Sequence, residues 1–199
     1  LGGWDQTQLT EDADIGIRIG QAGFTTTMVY TEDLATLEET PASETDFIHQ
    51  RTRWDQGYLQ VLWKGDWLRL PTLKQQLLSG YLLLQPLIHH LTVICILLMP
   101  ITALVAKISL LITIYSFLPL YFLLMQLGIK LIGLWELRHQ YRIQFSNWVF
   151  VSFLVNYFPY QFLLAFASAR AFKRLILGSM NWEKTTHVNA HRQINLLTH

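Results

Sequence analysis

Three short strings in this chain carry residue types that could do chemistry. The first is Thr10-Glu11-Asp12, preceded by Gly2-Gly3-Trp4 and followed by Ala13-Asp14-Ile15-Gly16-Ile17-Arg18. The second is Gln50-Arg51-Thr52-Arg53-Trp54, followed by Gly57-Tyr58-Leu59-Gln60. The third is Trp182-Glu183-Lys184-Thr185-Thr186-His187. A carboxylate at a helix start can accept a proton from a hydroxyl, and its charge also suits the positive end of the helix dipole. A guanidinium is a planar fork that fits phosphate oxygens. An indole offers a flat apolar face on which a ring can stack. Thr31-Glu32-Asp33 repeats the first tripeptide, but it lacks the Gly-Gly-Trp turn and the following helix pattern, and it reads as a surface loop.

The elements around the first two strings read as mixed α/β. Thr10 caps a short helix over about 13–22, with Asp12 and Asp14 in its first turn and Gly23 at its end. The β-branched and apolar run from Thr25 to Tyr30 predicts a strand. Ser43-x-x-Asp46 predicts a capped helix running to about Lys64. On it Gln50, Arg53, Trp54 and Gly57 recur at i, i+3, i+4 and i+7 and so share one face. On spacing alone that face serves equally as a binding surface or as a solvated surface with one interfacial indole. After Gly65, the residues Trp67, Leu68 and Leu70 with Arg69 and Lys74 form an amphipathic segment suited to a membrane surface.

Charge divides the chain. Residues 1–76 hold 12 acids and 6 bases, a net of −6, whereas residues 77–199 hold 2 acids and 9 bases, a net of +7. Between Leu77 and Trp135 the only charges are Lys107 and Lys130, which excludes a fully soluble protein. The bases are scattered beside apolar spans rather than gathered in a stripe, which argues against a nucleic-acid binder. Charge-free stretches run over 77–106, 108–129 and 143–169, each long enough for a spanning helix of roughly 20 residues. The first two read as a helical hairpin turning near Ala106-Lys107. The third is more polar, and its second half, 160–177, takes up Arg170, Lys173 and Arg174, which suits an interfacial position. Basic residues before the first span and after the second place both ends in the cytoplasm, and the tail is expected there too. His89 and His90 in the first span read as helix-packing or channel-lining residues. Cys95 is the single cysteine, so no disulfide framework exists.

Together the strings resemble the C-terminal half of membrane-embedded family 2 glycosyltransferases, a family that includes cellulose, chitin, hyaluronan and poly-N-acetylglucosamine synthases. The Thr-Glu-Asp and Gln-x-x-Arg-Trp pair, 38 residues apart and followed by spans, carries the resemblance. It implies an α/β fold, the C-terminal part of a GT-A-type nucleotide-sugar transferase domain, followed by membrane-spanning α-helices. The expected division is residues 1–64 for the transferase part, 65–76 for the interface segment, 77–169 for two to three membrane helices, and 170–199 for a cytoplasmic tail.

The implied reaction is inverting transfer from a nucleotide diphosphate sugar to a growing polysaccharide or lipid-linked acceptor, at a bacterial inner membrane. Asp12 would be the general base, with Glu11 next to the acceptor. Gln50, Arg53 and Trp54, with Arg51 assisting, would bind substrate. Trp182, Lys184, Thr185 and His187 resemble a gating loop, although Thr186 and Val188 stand where many relatives have Pro and Gly. Mg²⁺ or Mn²⁺ is implied, with its ligands in a preceding half absent from this chain; a fragment without that half is expected to be inactive. Other synthase subunits are implied partners. The competing readings are a non-catalytic membrane adaptor and a transporter subunit.

Overall fold

The computed structural model describes residues 2–29, 31, 34, 39–179, 181 and 183. Its α-helices are α1 (Glu11–Gln21), α2 (Glu44–Lys64), α3 (Leu73–Val105), α4 (Leu110–Ser116), α5 (Leu118–Gln140) and α6 (Trp148–Ile176), with a 3-10 turn at Asp66–Arg69 between α2 and α3. No strand occurs among the described residues, so the expected α/β class is corrected to all-α. The segment expected as a strand has no regular structure over 25–29, and Tyr30 lies outside the described residues. A strand exists only when a neighbour takes its N–H and C=O groups, and β-branched composition cannot supply that neighbour. Phe24, Met28 and Val29 are correspondingly exposed.

Local signals explain the two helices nearest the amino terminus. At the start of α2 the Ser43 hydroxyl accepts from the Asp46 amide at 3.1 Å and donates to the Asp46 carboxylate at 2.8 Å, the reciprocal cap that the spacing predicts. The helix ends at Gly65, whose φ of 77° is left-handed. Helix α1 also ends as expected: Phe24 N–H reaches Ile19 C=O and Gly23 N–H reaches Gly20 C=O, the bond pattern of a Schellman turn. Its start differs. Thr10 stands at the N-cap but makes no side-chain cap bond, because its side chain packs against α2 instead.

The chain divides into two compact units, Leu1–Leu87 with Phe166–His199, and Ile88–Ala165. In the first, Leu59, Val61 and Gln56 of α2 are buried with Ala167 and Ala171 of α6. Thr52 Oγ1 donates to Ala167 C=O at 3.3 Å, and Ser168 Oγ donates to Pro86 C=O at 2.6 Å. The ring of Trp67 lies where a Cβ on Gly80 would come within 2.7 Å of it. In the second unit, Leu123 and Tyr157 are buried, and the Tyr157 hydroxyl donates to Leu123 C=O at 2.9 Å. His89 Nε2 donates to Gln161 C=O and His90 Nδ1 to Ala165 C=O, both at 3.2 Å. These bonds give the two histidines the helix-packing role that was one of the expectations for them.

Among the described residues three helices are long and apolar enough to cross a membrane: α3, α5 and α6, in which an 18-residue stretch has a mean hydropathy of 2.1, 1.6 and 1.5 respectively. Their surfaces carry exposed Leu, Ile and Val, the outward pattern that suits lipid rather than water. The second charge-free stretch is not one helix. It breaks at Phe117 between α4 and α5, and α5 opens with a proline in its first turn. Pro119 has no N–H to continue α4, but it fits the start of a new helix. The third stretch is a single helix of 29 residues that carries Pro159 in its interior.

Candidate functional site

The first two strings meet where α2 passes the start of α1. Gly57 makes the approach possible: a Cβ there would stand 2.5 Å from both Thr10 Cγ2 and Thr10 Oγ1. The segment before α1 is held to α2 by Gln60, whose Oε1 accepts from Leu9 N–H at 3.0 Å. The Thr10 hydroxyl is buried without a hydrogen-bond partner among the described residues. The threonine therefore serves this corner through shape, not through the cap bond that its position suggests.

A cavity of about 310 Å³ opens at this corner. Its lining includes Glu11, Asp12, Arg53, Trp54, Tyr58 and Trp4. The structure thus brings together four of the expected site residues from helices far apart in sequence. Asp12 is exposed, and its Oδ1 accepts from the Ala13 amide at 2.9 Å. Burial draws the Arg53 guanidinium below its ordinary value, and the negative charge of Glu11 opposes that shift. Gln50 and Arg51 do not line the cavity. Arg51 lies over the Trp54 ring at 4.4 Å and the Phe47 ring at 5.4 Å, so it braces the indole by cation–π contact.

Tyr58 belongs to the second string, but its residue type alone does not mark it as a site residue. It follows Trp54 by one helical turn, and that i, i+4 spacing is the signal that could have found it. Burial holds its phenol above the ordinary value, and the charges of Asp12 and Asp55 add to the shift. Asp55 is a further unexpected group. Its carboxyl makes no hydrogen bond or ion pair among the described residues, and burial pushes it up to about 7 against the pull of Arg51.

Asp14 answers a different purpose from Asp12. It is 1% exposed. Arg18 Nε donates to its Oδ2 at 2.9 Å, and Lys64 Nζ to its Oδ1 at 2.7 Å. The Lys64 ammonium is held above its ordinary value chiefly by this bond to Asp14. Asp12 and Asp14, two residues apart, therefore do not share one site. Among the described residues no three of His, Cys, Asp and Glu converge to hold a metal ion, and the resemblance puts the ligands of the implied Mg²⁺ or Mn²⁺ elsewhere, in a preceding half.

Of the third string, Trp182, Lys184, Thr185 and His187 lie outside the described residues, as do Glu32 and Asp33 of the repeated tripeptide. Glu183 is described, and it is well anchored. Arg170 donates to both of its oxygens, at 2.6 and 2.5 Å, and Arg174 to one at 2.6 Å. These bonds, those from Arg170 foremost, hold its carboxyl below the ordinary value. Arg174 Nε also donates to Gln56 Oε1 at 2.9 Å, and Gln56 Nε2 donates to Ser179 C=O at 2.7 Å. The end of α6 is in this way fastened to the buried side of α2, one turn from Arg53.

A helix pair that gathers carboxylates, a guanidinium and an indole at one cavity, in a chain with membrane-capable helices, is the class that these features define. The chain belongs to glycosyl transferase family group 2, whose model matches residues 1–180. No curated protein and no solved structure matches it. The family supports glycosyl transfer as the activity and a nucleotide sugar as the donor class.

Proposed function

We propose that this chain carries the base and the acceptor side of an inverting glycosyltransferase that works at a membrane surface. The observation that carries this reading is the cavity shared by Asp12, Glu11, Arg53 and Trp54. In the proposed step an acceptor hydroxyl oxygen attacks the anomeric carbon of a nucleotide diphosphate sugar. The C–O bond to the diphosphate breaks, and its electron pair leaves with the diphosphate. The hydroxyl proton passes to Asp12, whose Oδ2 is the oxygen not bonded to Ala13 N–H. A single attack from the opposite side inverts the anomeric centre. Arg53 faces the charge developing on the diphosphate. Trp54 stacks a sugar ring of the acceptor, and Glu11 orients the attacking hydroxyl. A divalent cation on the diphosphate belongs to this reading, but the roles of Asp12, Glu11, Arg53 and Trp54 need none from the described residues.

The proposed setting is the cytoplasmic face of a cell membrane. Arg51, Arg53, Lys64 and Arg69 precede α3 and Lys74 lies in its first turn, which supports a cytoplasmic start. The bond that Gln56 accepts from Arg174 and the one that it donates to Ser179 C=O support a tail on the same side as α2.

Replacement of Asp12 by Asn in the full-length protein tests the reading. Transfer of radiolabel from a nucleotide sugar should fall by roughly 10²–10⁴, with normal membrane insertion. Unchanged transfer would remove Asp12 as the base, and transfer absent in the parent protein as well would favour a non-catalytic adaptor.

A further inference from the structure

Asp12 and Tyr58 line a second cavity as well, of about 460 Å³, a size suited to a small-molecule site. Its walls are mainly aliphatic: Ile17 on α1, Leu70 after the 3-10 turn, and Leu82 and Leu83 on α3. Gly16 also lines it, and a Cβ added there would meet no atom within 4 Å.

We propose that this second cavity binds the apolar part of a neutral lipid alcohol, the acceptor whose hydroxyl is presented to Asp12. The proposal rests on the reading of Asp12 as the base. Three features support it. The two cavities share Asp12 and Tyr58, so a lipid held in one meets a carboxylate that also lines the other. Leu82 and Leu83 belong to a helix long and apolar enough to cross a membrane, so a lipid could enter by lateral diffusion along α3. No Lys or Arg lines the cavity, and Asp12 is its one charged residue. A phosphate-bearing lipid would therefore meet a carboxylate without a compensating cation, whereas an uncharged alcohol meets a base. In the transfer, the lipid oxygen forms the new bond to the anomeric carbon, the bond to the diphosphate breaks, and the hydroxyl proton goes to Asp12.

The test uses the full-length protein in vesicles of phosphatidylethanolamine and phosphatidylglycerol, with a panel of radiolabelled nucleotide sugars. One set of vesicles contains dioleoylglycerol and another contains undecaprenyl phosphate. Label should enter the chloroform–methanol phase with dioleoylglycerol. Gly16→Phe, whose Cβ has open space, should place a ring in the cavity and raise the KM for dioleoylglycerol at least tenfold, with a donor KM within twofold of the parent. Gly133→Phe, on α5 with open space around it, is the control of equal bulk and should leave both values unchanged. Label that appears only with undecaprenyl phosphate, or only in an alcohol-insoluble polymer, overturns the lipid proposal. If Asp12→Asn abolishes that labelling, the base assignment stands without it. An unchanged KM in Gly16→Phe overturns the cavity assignment. Full transfer by Asp12→Asn overturns both readings.

Discussion

Asp12 and Asp14 stand two residues apart on α1, yet the regions around them are opposites. Around Asp14 every charge is answered: Arg18 and Lys64 grip the two oxygens of a buried carboxylate, and Asp5 and Asp66 lie near the same ammonium. Around Asp12 the carboxylate is exposed and faces a cavity with Glu11, Arg53 and Trp54. The first region locks α1 to the end of α2. The second leaves the Asp12 carboxylate open to a substrate in the cavity. A charge already satisfied stabilises the fold, and only one left available can act on a ligand.

Replacing each carboxylate in turn separates the two regions most sharply. Asp12→Asn should raise the barrier to transfer by about 3–5 kcal/mol and leave the thermal midpoint in detergent within a degree or two. Asp14→Ala should do the reverse first. It removes the buried carboxylate that Arg18 and Lys64 share and should cost about 3 kcal/mol of stability, at the low end for a broken buried pair because both cations reach water and Lys64 keeps Asp5 and Asp66 nearby. A clear drop in thermal midpoint checks it, and a midpoint equal to the parent's would erase the contrast.

A smaller effect is expected between the two regions. Gly57→Ala drives a methyl group against Thr10 and should cost about 1–3 kcal/mol. Because Thr10 adjoins Glu11 and Asp12, transfer should fall together with stability; loss of one without the other would show that the corner does not position the site.

A third carboxyl, Asp55, adds a pH dependence. It titrates at about 7 in the folded protein, above its ordinary 3.8. Between those values the folded state holds the proton more tightly than the unfolded chain. Stability therefore falls as pH rises through that window. Asp55→Asn should remove this fall, with a higher midpoint than the parent at pH 8 and little difference at pH 4. Parallel curves would mean that Asp55 is not the group responsible. The smallest effect belongs to Arg69, 80% exposed and 3.7 Å from Asp66. Arg69→Ala should change stability by no more than about 0.5 kcal/mol, measured by the same melts.

The parts legible in the sequence are those set by neighbours along the chain. Ser43 and Asp46 fixed the start of α2, Gly65 fixed its end, and Gly23 ended α1, since each closes bonds within a turn of itself. Pro119 marked the break between α4 and α5 for the same local reason, although the charge-free stretch around it suggested one helix. The segment from Thr25 had the composition of a strand, but a ladder needs a partner that composition does not provide. Thr10 had the identity of a cap, but its side chain is taken up by Gly57 across the corner.

The amino-acid order alone was enough for three apolar stretches long enough to cross a membrane, for the capped helix α2, and for the motif pair that marks the family. Hydropathy and capping act over a few residues and survive without knowledge of the fold. The contacts made far along the chain decided the rest: Tyr58 and Trp4 at the cavity in place of Gln50, Asp14 as a buried, ion-paired carboxylate beside the exposed Asp12, and Glu183 bound to two arginines. Those roles depend on which helix faces meet, and a single Cβ at Gly57 would have changed that meeting.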